Sequence, residues 1–452
     1  MKFFQMPDLF GDAPIEVRRN ALKGIGRKAR AAFEEEYPKL LKWFETYDPL
    51  YVLSFCAFYF LTSEAGIDKE AIDGKLDFGQ HHLELLQALA LMRSRKGTPQ
   101  PLGAEAEALQ KSLRDLTQSL LFAQFDFPAE MSGAELTKRW VLAEMRAQTS
   151  CIRNWAYPEQ TVRHLKSMFE GPLSGIIASQ YQGITIGQMI DALASLAERV
   201  NERLNNHIRK LRPVATAKDF ETTYHAYRQA FPDVLDDREG MIEAFDRLCG
   251  RDLRRLQSVL LMHSDLRLEH IFTFSLDDIA HASGSAEHRH GLAHLMQKWS
   301  YKFGDLADWD PKHFIYTNPI LQRPFIRLGQ DSFYWVQCGI YSHALPGMLE
   351  LLIPEVHRDE YMATRSRYLE DQVEAQCRKA FPSGSVFRGS QYRLQDSGQE
   401  TYENDILVVI DSTAIIIECK ANLIDPPARR GAEYRLIDTL ENLVVSASDQ
   451  AQ

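Results

Sequence analysis

Between Ile15 and Met262, apolar residues recur at three- and four-residue spacing, and strong helix formers lie between them. The clearest helical patterns cover Glu105 to Phe122, Leu136 to Gln148 and Ile186 to Leu211. Pro and Gly residues separate the segments, and no repeat of fixed period is visible. The pattern therefore predicts an all-α region.

The longest apolar run extends from Tyr51 to Thr62. It is too short to span a bilayer and predicts a buried helix. The N-terminal segment MKFFQMPDLFGDAPIE has acidic residues where a signal peptide needs an unbroken apolar stretch. We therefore expect a cytoplasmic protein without a membrane partner.

A two-helix pattern follows the all-α region, from Phe274 to Ser300. Ser275 and Ser285 are suitable N-caps for the two helices, and Gly284 ends the first one. This is the shape of a helix-turn-helix, which would read DNA with its second helix. Two helices that pack for structural reasons alone produce the same pattern, so the sequence is compatible with both a DNA-binding motif and a purely structural helix pair.

The pattern changes again between Asn318 and Gln337, where two apolar runs flank Gly329, Gln330 and Asp331 and predict a β-hairpin. A short helix is expected over Pro346 to Ile353, with Pro346 in its first turn. The polar, charged stretch from Glu355 to Arg367 would then lead into the last domain.

From Tyr368 onward the predicted order is helix, strand, strand, strand, helix. The helix over 368–381 places Leu369, Val373, Cys377 and Ala380 on one stripe. Strands are expected over Ser385 to Arg393, Thr401 to Ile410 and Thr413 to Ala421, with a turn at Asp411 and Ser412. Strands this rich in Ile and Val are usually covered on both faces.

The chain of 452 residues is longer than one hydrophobic core usually needs. We expect an α-helical domain over 1–270, a helix-turn-helix-like and hairpin connecting region over 271–360, and a C-terminal α/β domain over 361–452. The fold class is therefore mainly α, with an α/β unit at the C-terminal end.

The formal net charge of −10 argues against a protein that coats nucleic acid without specificity. Local basic clusters are still present, and each is either a phosphate-binding surface or a solvated helix face. They are Arg18, Arg19, Lys23, Arg27, Lys28 and Arg30; Arg209, Lys210 and Arg212; and Arg251, Arg254 and Arg255.

Neither cysteines nor histidines form a convincing metal-binding pattern. The six cysteines are scattered without a C-x-x-C pair, so buried free thiols are expected. His290 and His294 have the i, i+4 spacing of two zinc ligands, but no Glu follows the first His as in H-E-x-x-H.

The strongest candidate for chemistry is Asp405 together with Glu418 and Lys420. Asp405 lies near the start of one predicted strand and Glu418 near the end of the next, so a hairpin would bring the two carboxylates together. Glu418 and Lys420 are two residues apart and would project from one face. Two charges at the end of an apolar strand need a reason, because unpaired buried charges are costly.

Phosphodiester hydrolysis supplies such a reason. Carboxylates are the ligands that Mg²⁺, or Mn²⁺, prefers, and the bound metal polarises a phosphate and lowers the pKa of a water. A lysine beside the metal orients that water and stabilises negative charge in the transition state. We therefore expect Asp405 and Glu418 to be metal ligands and Lys420 to serve the attacking water.

The segment resembles the PD-(D/E)XK, or restriction-endonuclease-like, nuclease superfamily. The resemblance lies in Glu403-Asn404-Asp405, in Glu418-Cys419-Lys420 and in the apolar strands between them. It covers roughly the last fifth of the chain. It implies an αβββαβ core, a metal-dependent phosphodiesterase that leaves a 5′-phosphate, and DNA as the commoner substrate.

The resemblance also implies further site residues. A Glu on the helix before the strands often joins the catalytic site, and Glu370 occupies that position, with Glu374 one turn later as the fallback. Nuclease-related subfamilies continue with a basic loop and a helix that carries a Gln. Arg429, Arg430 and Gln450 would be the equivalent nucleic-acid contacts.

In that superfamily a helix and usually another strand follow the Lys, whereas this chain ends at Gln452 inside the expected helix. We therefore expect an αβββα core that is truncated relative to a full protein.

Two classes of function are compatible with these patterns. In the first, the protein is a metal-dependent nuclease, and its helical region recognises a substrate, binds a protein partner or self-associates. In the second, the nuclease-like module binds nucleic acid or regulates a partner without cutting. Metal dependence separates the two, because a binding module has no need of Asp405.

Overall fold

A computed structural model describes residues 14–64, 76, 78–103, 105–127, 135, 138–139, 142–143, 157–232, 238–284, 286–314, 318–393, 401–421, 433–446 and 448. Most of the helix expected over Leu136 to Gln148 lies outside these residues, as do Ser285, Arg429, Arg430 and Gln450.

Helices form most of the described chain. In chain order they are α1 (Ile15–Thr46), α2 (Pro49–Glu64), α3 (Gln80–Leu91), α4 (Glu105–Phe122), α5 (Pro158–Met168), α6 (Pro172–Gln180), α7 (Ile186–Thr216), α8 (Phe220–Ala230), α9 (Arg238–Arg247), α10 (Leu253–Asp265), α11 (Glu269–Phe272), α12 (Leu276–Ser283), α13 (Arg289–Lys298), α14 (Tyr341–Glu350), α15 (Arg358–Ala380) and α16 (Glu433–Leu440). The prediction of an all-α region up to Met262 is confirmed for the described residues.

The strands form two separate sheets. They are β1 (Thr273–Ser275), β2 (Ser300–Tyr301), β3 (Phe325–Arg327), β4 (Ser332–Tyr334), β5 (Ser385–Tyr392), β6 (Tyr402–Ile410) and β7 (Thr413–Ile417). The first sheet has the order β1-β4-β3-β2, and only its β2–β3 pair is parallel. The second is an antiparallel sheet in the order β5-β6-β7.

Helix α7 shows how the sequence pattern builds the helical core. Thr185 caps it by accepting from the backbone N–H of Gln188, whose side chain in turn accepts from the N–H of Thr185. The apolar residues at three- and four-residue spacing are buried on one face, for example Leu193, Leu196 and Val200. The helix therefore packs through a stripe that is visible in the sequence.

The apolar run in α2 is buried as predicted, with Tyr51 to Phe58 inside the main core. No helix in the described ranges is both long enough and apolar enough to cross a membrane.

One hydrophobic core runs across the boundary expected near residue 270. It extends from Phe33 in α1 to Tyr361 in α15 and contains the fully buried Trp299 and Trp335. The predicted hairpin is confirmed: β3 and β4 are antiparallel on either side of Gly329 to Asp331. The hairpin and the two helices before it therefore share the core of the helical region.

The two-helix pattern is confirmed as local structure. Ser275 caps α12 by accepting from the N–H of Asp278 at 3.0 Å, and Gly284 ends the helix with a φ of 63°. Helix α13 buries Leu292, Leu295 and Met296 against the main core.

Two predicted helix starts were wrong. Helix α14 begins at Tyr341, not at Pro346, because a 3₁₀ turn over Gln337–Ile340 leads directly into it. Pro346 lies inside the helix, where it leaves the carbonyl of Ser342 without a helical partner.

Helix α15 begins at Arg358, so most of the stretch expected to be a polar lead-in is helical. The reason is Tyr361, which is 2% exposed, stacks on Phe169 and donates its hydroxyl to Glu350 at 2.7 Å. One buried aromatic residue thus docks a mostly charged segment on the main core.

The second sheet has a small core of its own. Cys377 on α15 packs with Val386, Ile406 and Val408, and Ile415, Ile417 and Cys419 lie around them. The opposite face is less covered than the sequence suggested, because Phe387 is 49% exposed and Ile416 is 40% exposed. The expectation that both faces are covered is therefore wrong for the described residues.

Candidate functional site

The β6–β7 hairpin brings Asp405 and Glu418 together. Asp411 lies at the turn with a φ of 51°, a conformation that Asp tolerates better than most residues. Ile406 pairs with Ile417 in the register, so Asp405 and Glu418 are the next residues outward on the two chains. The prediction that the turn places these two carboxylates at one edge is confirmed.

Strand β7 ends at Ile417, whereas the sequence predicted a strand that continues to Ala421. Glu418 to Lys420 therefore lie beyond the end of the strand. Oδ2 of Asp405 accepts a hydrogen bond from the backbone N–H of Cys419 at 2.6 Å. A side-chain acceptor thus takes the place of a backbone carbonyl, and the ladder stops. The same bond holds the Glu418-Cys419-Lys420 segment against β6.

Glu418 is a buried carboxylate with an unsatisfied oxygen. Its side chain is 7% exposed, and within the described chain its Oε1 has no hydrogen-bond partner. Burial raises the pKa of Glu418, the negative charge of Asp405 raises it further, and Lys420 opposes both effects. Two carboxylates held this close are costly to keep ionised together, and either a bound cation or a shared proton relieves the repulsion.

Lys420 supplies part of that positive charge. Its Nζ lies 3.6 Å from Oε2 of Glu418, and its side chain is 27% exposed. The two side chains therefore lie on the same side of the segment, as predicted. The distance is long for a direct hydrogen bond, and the ammonium group stays partly accessible from solvent.

Glu370 does not join the pair in the way that the family resemblance implied. Its Oε2 lies 2.8 Å from Nη2 of Arg388 on β5, and Arg388 also pairs with Asp371. The fallback, Glu374, pairs with Arg378 at 2.7 Å. Both helical carboxylates are therefore held by arginines in this conformation.

Asp405, Glu370 and Glu418 nevertheless all lie near the thiol of Cys419. Burial raises the pKa of Cys419 to about 11, and the negative charges of Asp405, Glu370 and Glu418 contribute in that order. The helical Glu370 therefore lies within electrostatic range of the same point as the other two carboxylates. Cys419 itself packs against the small core, as predicted, and has no ordinary thiol reactivity at neutral pH.

Two residues of this site were given no role from the sequence. Arg388 lies within the first predicted strand, and the only signal for it is the presence of three acidic residues on the preceding helix, Glu370, Asp371 and Glu374. Asn404 is 5% exposed, and its Oδ1 has no partner within the described chain. A buried amide beside Asp405 adds a second unsatisfied oxygen to this part of the sheet.

The donor set fits a hard divalent cation, although the described residues form only part of a coordination sphere. Two carboxylates, one of them with an unpartnered buried oxygen, are the usual protein contribution to Mg²⁺, which keeps several waters. In the described ranges, no group of three or more His, Cys, Asp or Glu residues is close enough together to hold a metal. That result covers the histidine pair His290 and His294 as well as the acids.

Arg289, in the second helix of the predicted helix-turn-helix, is paired with two acidic side chains. Its guanidinium group lies 2.9 Å from Asp277 and 2.8 Å from Asp331. This arginine of the second helix is thus paired within the chain, which favours structural packing for α12 and α13.

Arg429, Arg430 and Gln450 lie outside the described residues, so they remain predictions. No family model matches the chain, and neither a curated protein nor a solved structure matches it.

Proposed function

We propose that the chain is a metal-dependent nuclease that hydrolyses phosphodiester bonds in DNA, with its site at Asp405, Glu418 and Lys420. The observation that carries the proposal is the environment of the Glu418 carboxylate. Its Oε1 is buried beside a second carboxylate and has no partner among the described residues, and a lysine ammonium lies 3.6 Å from its other oxygen. Metal ligation supplies the missing partner for that oxygen.

Each residue has a role that its surroundings support. Asp405 and Glu418 would hold Mg²⁺ or Mn²⁺, and the hydrogen bond from the N–H of Cys419 to Oδ2 of Asp405 would keep the Asp405 carboxylate in place. Bound metal would polarise the scissile phosphate and lower the pKa of a water. Lys420 would orient that water and stabilise negative charge on the phosphate oxygens.

The helical region would recognise the substrate or a protein partner. It contains most of the buried residues, in the main core and in a second cluster between Leu211 and Leu260, so it offers a rigid platform. Arg429, Arg430 and Gln450 belong to the proposal as nucleic-acid contacts, and Glu370 as a supporting carboxylate that must first leave Arg388.

The proposal is tested by incubating the full chain with supercoiled plasmid and with single-stranded DNA in Mg²⁺, Mn²⁺ or EDTA. We expect cleavage with metal, none with EDTA and none by Lys420→Ala. Lys379→Ala removes an exposed lysine from the last turn of α15 and should cleave like the original protein. Cleavage that survives Lys420→Ala would contradict the proposal, as would a folded protein that cuts neither substrate.

A second candidate function is non-catalytic binding of nucleic acid or regulation of a partner. The pairing of Glu370 with Arg388 and of Glu374 with Arg378 favours it, because it leaves two carboxylates where a nuclease often uses three. In that case DNA binding in EDTA would be strong, and Asp405→Ala would leave it unchanged.

A further inference from the structure

A separate basic pocket lies in the helical region, between α7, the end of α8 and the segment around α11. Its volume is about 660 Å³. One wall is apolar and contains Phe231 and Pro232, and the other carries the side chains of α7 and of the segment from Arg267 to His270. The pocket is large enough for a ligand of nucleotide size.

The α7 wall is polar because four residues at helical spacing face the same way. Arg203, Asn206, His207 and Lys210 are separated by three, one and three positions, so they form one strip of the helix surface. The strip interrupts the apolar pattern of α7, which buries Leu204 and Leu211 in neighbouring turns.

Positive charge dominates the pocket. Arg203, Lys210 and Arg267 line it together with His207 and His270, and none of its described lining residues is acidic. Asp278, outside the lining, lies 3.9 Å from Arg203 and offsets part of its charge. The guanidinium group of Arg203 is fixed by the carbonyl oxygen of Thr273, at 2.7 Å, and lies over the ring of Phe274. Arg267 lies over the ring of Phe231. The two arginines are therefore held in place by contacts with the protein.

His207 has the features of an incomplete polar site. It is 3% exposed, and its Nε2 has no hydrogen-bond partner within the described chain. Burial lowers the pKa of His207 to about 4, and the charges of His270, Lys210 and Arg267 contribute to the shift. The pKa of His270 is lowered as well, first by burial and then by Arg203, Lys210 and Arg267. Both imidazoles thus experience a positive potential that an anion would relieve.

We propose that this pocket binds a phosphate-bearing ligand of nucleotide size, either a free nucleotide or the phosphate of a nucleic-acid strand. The phosphate group would lie between the ammonium group of Lys210 and Nε2 of His207, which has no hydrogen-bond partner within the described chain. The organic part would lie along Phe231 and Pro232. The inference does not rest on the nuclease proposal, because it involves neither metal nor cleavage.

The test is isothermal titration calorimetry of the full chain in EDTA, with adenosine 5′-monophosphate, inorganic phosphate and adenosine as probes. We expect the monophosphate to bind, phosphate to bind more weakly, and adenosine to show no binding. Lys210→Ala should weaken the monophosphate about tenfold, the loss expected for one charge-assisted hydrogen bond. The side chain of Lys210 is exposed, so its removal should leave the fold intact.

Lys298→Ala is the matched control, since it removes an exposed lysine at the end of α13 and should bind like the original protein. A competition experiment with a labelled single-stranded oligonucleotide distinguishes a free nucleotide from a nucleic-acid strand as the source of the phosphate. If adenosine 5′-monophosphate displaces the oligonucleotide, the pocket binds a strand phosphate; if it does not, the pocket binds a free nucleotide. The inference is overturned if the folded protein binds no phosphate-bearing probe, or if both lysine variants bind equally.

Discussion

The helical region and the C-terminal sheet bury their side chains to very different degrees. The main core runs from Phe33 to Tyr361 and encloses whole aromatic side chains such as Trp299 and Trp335. The core between α15 and the sheet contains four buried apolar residues, Cys377, Val386, Ile406 and Val408, and much of the opposite face of the sheet is in solvent. Stability is therefore concentrated in the helices, whereas the candidate site lies on the thinly packed unit.

This contrast is consistent with what the site requires. Carboxylates that bind metal and a lysine that positions water must be reached by solvent and by a phosphate backbone, so they cannot lie inside a closed core. Glu418 is buried at the edge of the sheet, and the side chain of the neighbouring Lys420 is still 27% exposed. Helix α15 joins the two regions, because Tyr361 packs in the main core and Cys377 in the sheet core.

The largest expected effect is on catalysis. Asp405→Asn should reduce metal-dependent DNA cleavage by at least about a hundredfold, because it removes a negatively charged ligand. The amide oxygen can still accept from Cys419, so the local fold should persist. Asp411→Asn changes an acid at the turn of the same hairpin and should cleave normally. Equal rates for the two variants, measured by gel assay, would remove Asp405 from the site.

The next effect compares the two cores directly. Leu196→Ala in α7 should cost about 3–5 kcal/mol of unfolding free energy, and Ile406→Ala in β6 about 2 kcal/mol, because the thin sheet relaxes more easily around a cavity. All six tryptophans precede the C-terminal sheet in the chain, so their fluorescence reports on the helical region. Urea titrations should show a shifted tryptophan midpoint for Leu196→Ala only. A matching shift for Ile406→Ala would mean that the two cores unfold as one.

A smaller effect concerns acid sensitivity. His82 accepts from the backbone N–H of Gly79 at 3.0 Å, and burial, with the nearby charges of His81 and Arg114, lowers its pKa to about 3. The unfolded chain takes up this proton near pH 6.5 and the folded protein does not, so stability is full above pH 6.5 and is lost as the pH falls. The loss at pH 5 should be about 2 kcal/mol relative to pH 7.

His82→Gln should remove that part of the pH dependence, as measured by urea unfolding at the two pH values. The chain has no histidine after His357, so the C-terminal sheet should not weaken over the same range. An unchanged pH dependence in His82→Gln would show that this imidazole is not held neutral.

Local patterns in the sequence were sufficient for much of the fold. Periodicity located α4 and most of α7, and cap chemistry located Ser275 and Gly284. The start of α15 was missed because its docking depends on Tyr361 meeting Phe169, which lies almost two hundred positions earlier in the chain. Such distant contacts leave no periodic signal in a charged segment.

The same distinction applies to the candidate site. Asp405 and Glu418 were placed together correctly because a hairpin is a local structure with a fixed register. The early end of β7 accompanies one hydrogen bond from the N–H of Cys419 to Asp405. The pairing of Glu370 with Arg388 depends on how a helix side chain meets a strand side chain. Neither can be read from residue spacing.

The most direct test of the central claim is a titration of the metal-free full chain with Mn²⁺, followed by the electron paramagnetic resonance signal of free Mn²⁺. We expect binding by the original protein, binding weaker by at least about tenfold in Glu418→Gln, and unchanged binding in Glu355→Gln, which alters an exposed acid in the 3₁₀ turn before α15. Absence of Mn²⁺ binding by the folded protein, or equal binding by all three, would contradict a metal site at Asp405 and Glu418.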